Sequence, residues 1–128
     1  MNVLIADLEA DGLLDTITQH WCLSVGDPKT EEITCYADQP GYPPLSEGYA
    51  RLATADRVVF HNGLGYDLHA INMIVPNTLR FEQVYDTLVL SKMLFPDRRS
   101  HALAAWGIDL GFPKMDFSDF SQWHPIMG

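Results

Sequence analysis

Basic residues are scarce in this chain: 8 Lys and Arg stand against 17 Asp and Glu in 128 residues, a formal charge of −9. Such a surface repels phosphate backbones overall, so any nucleic-acid role must use a local site. Cysteine is nearly absent. Cys22 and Cys35 are too few for a disulfide framework, and neither sits in a metal-type C-x-x-C pair. No apolar run approaches the roughly 18 residues of a membrane span. Met1 leads into a strand-like segment rather than a basic stretch with an apolar signal region. A cytoplasmic address without a membrane partner is therefore expected. With 9 Gly, 8 Pro, 20% charged residues and no repeats, disordered, collagen-like and solenoid architectures are excluded. What is there is 47% apolar and the length of one domain, enough to bury a core unaided. Residues 1–128 are read as a single domain, with 110–128 an irregular tail.

Val3, Ile5, Asp7 and Glu9 alternate with Leu4, Ala6 and Leu8, which predicts a strand, and apolar residues on both sides place it centrally in a sheet. His20–Val25 and Glu31–Tyr36 read as a hairpin around Asp27-Pro28-Lys29-Thr30. Centred between Pro28 and Lys29, that hairpin sets Cys22 opposite Cys35 within bridging reach, although free, buried thiols are expected in a reducing cytosol. Leu45, Tyr49 and Leu52 predict a helix capped by Ser46 and fading near Ala55. Residues 57–62 then read as a strand, Tyr66–Val75 as a helix, Val84–Asp86 as a strand, Thr87–Leu94 as a helix, and Ser100–Leu110 as a last helix stopped by Gly107 or Gly111. Three early strands followed by alternating helix and strand indicate an α/β fold, a mixed sheet flanked by helices.

Asp7 and Glu9, two apart on a strand, leave the same face with Cα atoms roughly 6.5–7 Å apart. Read alone, the pair fits either a solvated strand end or a site where divalent cations offset the repulsion. Asp67 follows a strand, a glycine turn and Tyr66, at the positive end of a helix, where an ionised carboxylate is favoured. Three such carboxylates could converge on hard metal ions, and oxygen-only ligands point to Mg or Mn rather than Zn. Asp86, just before a helix, reads as a cap rather than a ligand.

These residues carry a resemblance. Ile5-Ala6-Asp7-Leu8-Glu9-Ala10 resembles the first motif of the DEDD superfamily of 3′–5′ exonucleases, and Phe60-His61-Asn62-Gly63-Leu64-Gly65-Tyr66-Asp67 resembles the second. The stretches 85–94 and 100–107 are similar to parts of the proofreading domain of family-A DNA polymerases of short-tailed phages. The resemblance implies a ribonuclease-H-like fold and two-metal hydrolysis of DNA 3′ ends, with Mg or Mn as cofactor. It implies that Asp7 bridges both metals, Glu9 holds the metal carrying the nucleophilic water, and Asp67 serves the second. Asn62 and Tyr66 would line the terminal nucleotide's site, with Leu13 beside its base; turn bonding for Asn62 and core packing for Tyr66 and Leu13 remain open alternatives.

The family's third motif, Tyr or His followed four residues later by Asp, has no counterpart here, and the segment 123–128 ends where the resemblance implies that the helix bearing it should begin. Asp116 and Asp119 are the nearest spare acids, and His101 and His124 read as solvated or capping. The expected function is a 3′–5′ exodeoxyribonuclease acting on single-stranded or frayed DNA ends, weak or conditional for want of a fourth carboxylate. A polymerase or a second protomer could supply that group. Two alternatives stand beside it: a degenerate domain that binds nucleic acid or a replication protein without cutting, and the N-terminal fragment of a split phage polymerase.

Overall fold

The computed structural model describes residues 1–112; Asp116, Asp119 and His124 lie outside the described residues. Strand β1 (Val3–Ala10) buries Leu4, Ala6 and Leu8 on one face and turns Ile5, Asp7 and Glu9 outward on the other. It is the middle strand of a five-stranded sheet completed by β2 (His20–Asp27), β3 (Glu32–Tyr36), β4 (Arg57–Phe60) and β5 (Val84–Asp86), in the order β3-β2-β1-β4-β5. β1 pairs antiparallel with β2 and parallel with β4; β2–β3 is antiparallel and β4–β5 parallel. The expected mixed sheet is present. Ile5 is half exposed, so apolar residues on both sides of β1 mark its central place in the sheet without both faces being covered among the described residues.

The hairpin turns one residue later than expected. Glu31 adopts a left-handed conformation, φ 62°, and its N–H donates to the Asp27 carbonyl (2.8 Å), so the loop spans residues 28–31 and Asp27 pairs with Glu32. Cys35 consequently faces Ser24, and Cys22 is its diagonal neighbour rather than its opposite. Both thiols are free and half-buried, not buried.

Four helices flank the sheet: α1 (Leu45–Thr54), α2 (Leu68–Ile74), α3 (Thr87–Leu94) and α4 (Leu103–Asp109). Ser46 does not cap α1. Pro44 precedes the helix and lacks an N–H, while the distant Asp38 carboxylate accepts the Leu45 N–H at 2.9 Å. The single helix expected over 66–75 instead opens as a π-helical turn, Gly63–Asp67, before α2. A Cβ on Gly63 would lie 2.5 Å from that of Phe60, so glycine lets this wide turn press back on β4. The last helix starts at Leu103 because the Ser100 hydroxyl takes the Ala102 N–H outside it; Gly111, φ 83°, ends it, and Gly107 lies within it. His101 is neither solvated nor a cap: Ser91 Oγ accepts from Trp106 Nε1 and bonds His101 Nδ1, each at 2.7 Å, locking α3 to α4.

The core of Leu4, Leu23, Leu52, Val58, Phe60 and Ile71 joins the sheet's buried face to α1 and α2. Each such side chain contributes roughly 1.5–3 kcal/mol. No helix among the described residues is long and apolar enough to cross a membrane. One buried polar group ties the layers: Gln83 Nε2 donates to the Leu52 (2.6 Å) and Ala55 (2.8 Å) carbonyls at the end of α1, and its Oε1 accepts the Arg80 N–H. Gln83→Ala would orphan those buried groups and is expected to cost about 2–4 kcal/mol in urea unfolding. A loss within experimental error would show that the link is dispensable.

Candidate functional site

β4 pairs with β1 only as far as Ile5–Val59 and ends one residue later, at Phe60, still paired with Asp86 of β5. β1 runs on alone on that side, carrying Asp7 and Glu9 on its exposed face opposite Ser24 and Cys22 of β2. Beyond the end of that pairing the Leu8 amide of β1 bonds the carboxylate of Asp67, the last residue of the π-helical turn, only 6% exposed. Burial and the nearby Asp7 charge push its pKa up to about 7, against the opposing pull of the Leu8 amide and its own. Asp7 and Asp67 thus meet electrostatically from a strand and a turn 60 residues apart in sequence. Glu9 shares the Asp7 face. Its charge and that of Asp7 add to burial and Cys35 in raising the Cys22 thiol to about 11.

Asp86 positions this arrangement. Its carboxylate accepts the N–H groups of Leu88 (2.8 Å) and Val89 (3.4 Å), the cap expected for α3, and also those of Asn62 (2.8 Å) and Leu64 (3.1 Å) in the turn before Asp67. Four donors occupy its oxygens, which is why it is a clamp and not a ligand. Tyr66 packs on the core and donates its hydroxyl to the Gly12 carbonyl (2.6 Å), joining the turn to the loop after β1. Asn62 is exposed at φ 67°, its carbonyl accepting the Tyr66 N–H, so turn bonding describes its backbone while its side chain stays open. Leu13, in the loop after β1, is 71% exposed and is not packed in the core.

Two residues not singled out from sequence shape the same region. Asp11 closes the loop after β1 by accepting from the Thr18 hydroxyl and the Thr18 and Gln19 N–H groups, which hold its carboxyl down at about 2. Asp-Gly after a strand is the turn signal that could have flagged it. His61 Nδ1 bonds Thr87 Oγ1 (2.9 Å), whose hydroxyl also reaches the Phe60 carbonyl, leaving the buried His61 Nε2 without a partner among the described residues.

The only ion pair among the described residues is Arg98–Asp109, so no basic side chain offsets Asp7, Glu9 or Asp67. Nor do three His, Cys, Asp or Glu side chains there already stand at metal-binding positions. The donor set is nonetheless all oxygen and acidic, with Asp67 pushed toward neutrality by burial and the Asp7 charge, which fits a hard divalent ion.

No protein-family model matches the chain. Over 91% of its length it is 30% identical to the DNA-directed DNA polymerases of Escherichia phage T7 and Enterobacteria phage T3, in their exonuclease region. Among solved structures it resembles NrnC of Brucella melitensis with bound Mg2+ (TM-score 0.68, 20% identity, 92% of this chain and 57% of that one). It also resembles the apo form of a nuclease (TM-score 0.69, 19% identity, 95% and 58%). The chain has the ribonuclease-H-like fold of these nucleases. The chain spans about a fifth of the length of the polymerases it matches. The similarity to the phage polymerases and the likeness to these nuclease structures support a nuclease fold.

The raised Asp67 pKa, about 7 against an ordinary 3.8, has a defined sign. In metal-free protein its contribution to stability is complete below about pH 4 and is lost as pH rises to about 7. In a chelating buffer the wild type is expected to lose more melting temperature over that interval than Asp67→Asn. Parallel curves for the two proteins would contradict the burial of this carboxyl.

Proposed function

We propose that this domain is a 3′–5′ exonuclease that hydrolyses DNA from a free 3′ end. The observation that carries the reading is the meeting of Asp7 and Asp67 at the open end of β1, with Glu9 on the same face, in a domain related to the exonuclease region of phage polymerases. Asp7, Glu9 and Asp67 would hold two divalent cations, Mg or Mn, with Asp7 shared. Such ions supply an activated water and offset charge on the departing 3′ oxygen. The chain's own groups then orient the strand: Asn62 and the exposed Leu13 flank the terminal nucleotide, and Tyr66 fixes the loop that carries Leu13 through its bond to Gly12. The acidic surface restricts binding to this locality, consistent with single-stranded or frayed ends rather than long duplex contacts.

One observation favours a second reading. Asp86, the further acid beside Asp67, is occupied by four backbone donors, so the described residues offer three available carboxylates at the site. A domain so equipped either cuts weakly, better with Mn than with Mg, until a polymerase or second protomer supplies a carboxylate, or binds strands without cutting them.

Single-stranded DNA labelled at its 5′ end separates these. With Mn, the exonuclease gives a ladder of progressively shorter labelled products, a 3′-terminal phosphate blocks it, and Asp7→Ala lowers the rate about a thousandfold, equivalent to roughly 4 kcal/mol of transition-state stabilisation. Immediate release of the labelled nucleotide, or cutting of closed circles, would contradict the polarity. Binding without shortening would favour the binding module.

A further inference from the structure

The pairing of β1 with β2 slips at the site itself. Glu9 faces Cys22 and Ala10 faces His20, which leaves Trp21 as an extra residue bulged out of the ladder. Bulges re-aim side chains, and this one does: Trp21 is 55% exposed, between the buried His20 and the half-buried Cys22, with Leu23 beyond them buried. Beside the indole lies a cavity of about 580 Å³, with Gln19, Asp38, Gln39 and Tyr49 among its walls. That volume lies in the range of small-molecule sites, about 300–1,000 Å³. Its back wall is fixed. His20 Nε2 bonds the Ala70 carbonyl (2.8 Å), so Nδ1 accepts from the Tyr49 hydroxyl (2.6 Å), and the two rings meet edge to face.

We propose that Trp21 and this cavity form a subsite for one base of a single strand whose 3′ end lies at Asp7 and Glu9. The inference rests on the exonuclease reading above and extends it to the substrate upstream of the cut. The chemistry of the walls decides the ligand class. No Lys or Arg lines the cavity, and the Asp38 carboxylate repels phosphate, so the group taken there is uncharged. A flat indole face beside amide and carboxylate side chains suits a stacked base whose polar edge bonds Gln19, Gln39 or Asp38. Placement agrees, because Trp21 adjoins the residue paired with Glu9. Stacking of this kind contributes about 1–3 kcal/mol per base.

The test measures binding of a 5′-labelled deoxyadenylate decamer and of the dinucleotide, with calcium replacing magnesium so that binding is read apart from cleavage. Trp21→Ala should weaken decamer binding about tenfold, a loss of about 1.4 kcal/mol within the stacking range. Trp21→Phe, which keeps an aromatic face, should restore most of it, and the Ala effect should shrink on the dinucleotide. Melting curves of the variants confirm that they fold. Decamer binding unchanged in Trp21→Ala, or an equal loss on both lengths, overturns the subsite, as does failure of the wild type to bind the decamer. A wild type that shortens DNA while Trp21→Ala binds normally removes only the subsite. Trp21-dependent binding without shortening in Mn keeps the subsite and removes the exonuclease reading.

Discussion

The arrangement of the acidic face depends on one buried carboxylate that is not part of it. Asp86 collects backbone N–H groups from the start of α3 and from the turn that follows β4. Both segments begin where a parallel strand ends, and both present unpaired amides there. A single charge-assisted acceptor between them fixes the exit of β4 relative to β5. That bond set lets the π-helical turn fold back tightly enough for Asp67 to arrive beside β1 rather than to point into solvent. Gly63 makes the same approach sterically possible. Tyr66, one residue before Asp67, then anchors the loop beyond β1 to the turn, so hydrogen bonds join the three segments around the carboxylates.

The cost of this design is electrostatic. Asp67 is buried beside a second acid in a chain already at −9, with no basic group to compensate among the described residues. Folding tolerates such a group by holding it near neutrality, which is why its pKa climbs. On the proposed reading, a cation bound there would offset the cost of this local acidity. On that reading, the same reasoning reconciles an acidic chain with a nucleic-acid substrate: attraction for phosphate would be confined to the place where cations would be held, and the surface elsewhere rejects it.

Sequence periodicity located β1, β5 and α3 because each has an unambiguous signal: strict alternation in the first, and an Asp-Thr boundary followed by a helical run in the others. The Asp86 cap was legible for the same reason, since an acid before a helix has one ordinary use. Its bonds to Asn62 and Leu64 were not, because they cross between segments that only the sheet brings together. The hairpin register escaped as well. Nothing about glutamate announces a left-handed residue at position 31, yet that one dihedral moves the pairing of Cys22 and Cys35 from opposite to diagonal. Ser46 had the right chemistry for a cap, but Asp38 reached the same helix end from outside its local sequence. Asp7 and Glu9 were legible as acids sharing one strand face, whereas the approach of Asp67 to Asp7 again crosses between segments. The bulge that turns Trp21 outward was not legible either, since a bulge is a property of two strands and not of one.

The central claim is that Asp7, Glu9 and Asp67 make one cation site, and calorimetric titration of Mn into the chain near neutral pH tests it most directly. Saturable binding that is abolished by Asp7→Ala and strongly weakened by Asp67→Asn is the predicted result. An absence of saturable binding to the wild type, or binding that survives both substitutions, would contradict it.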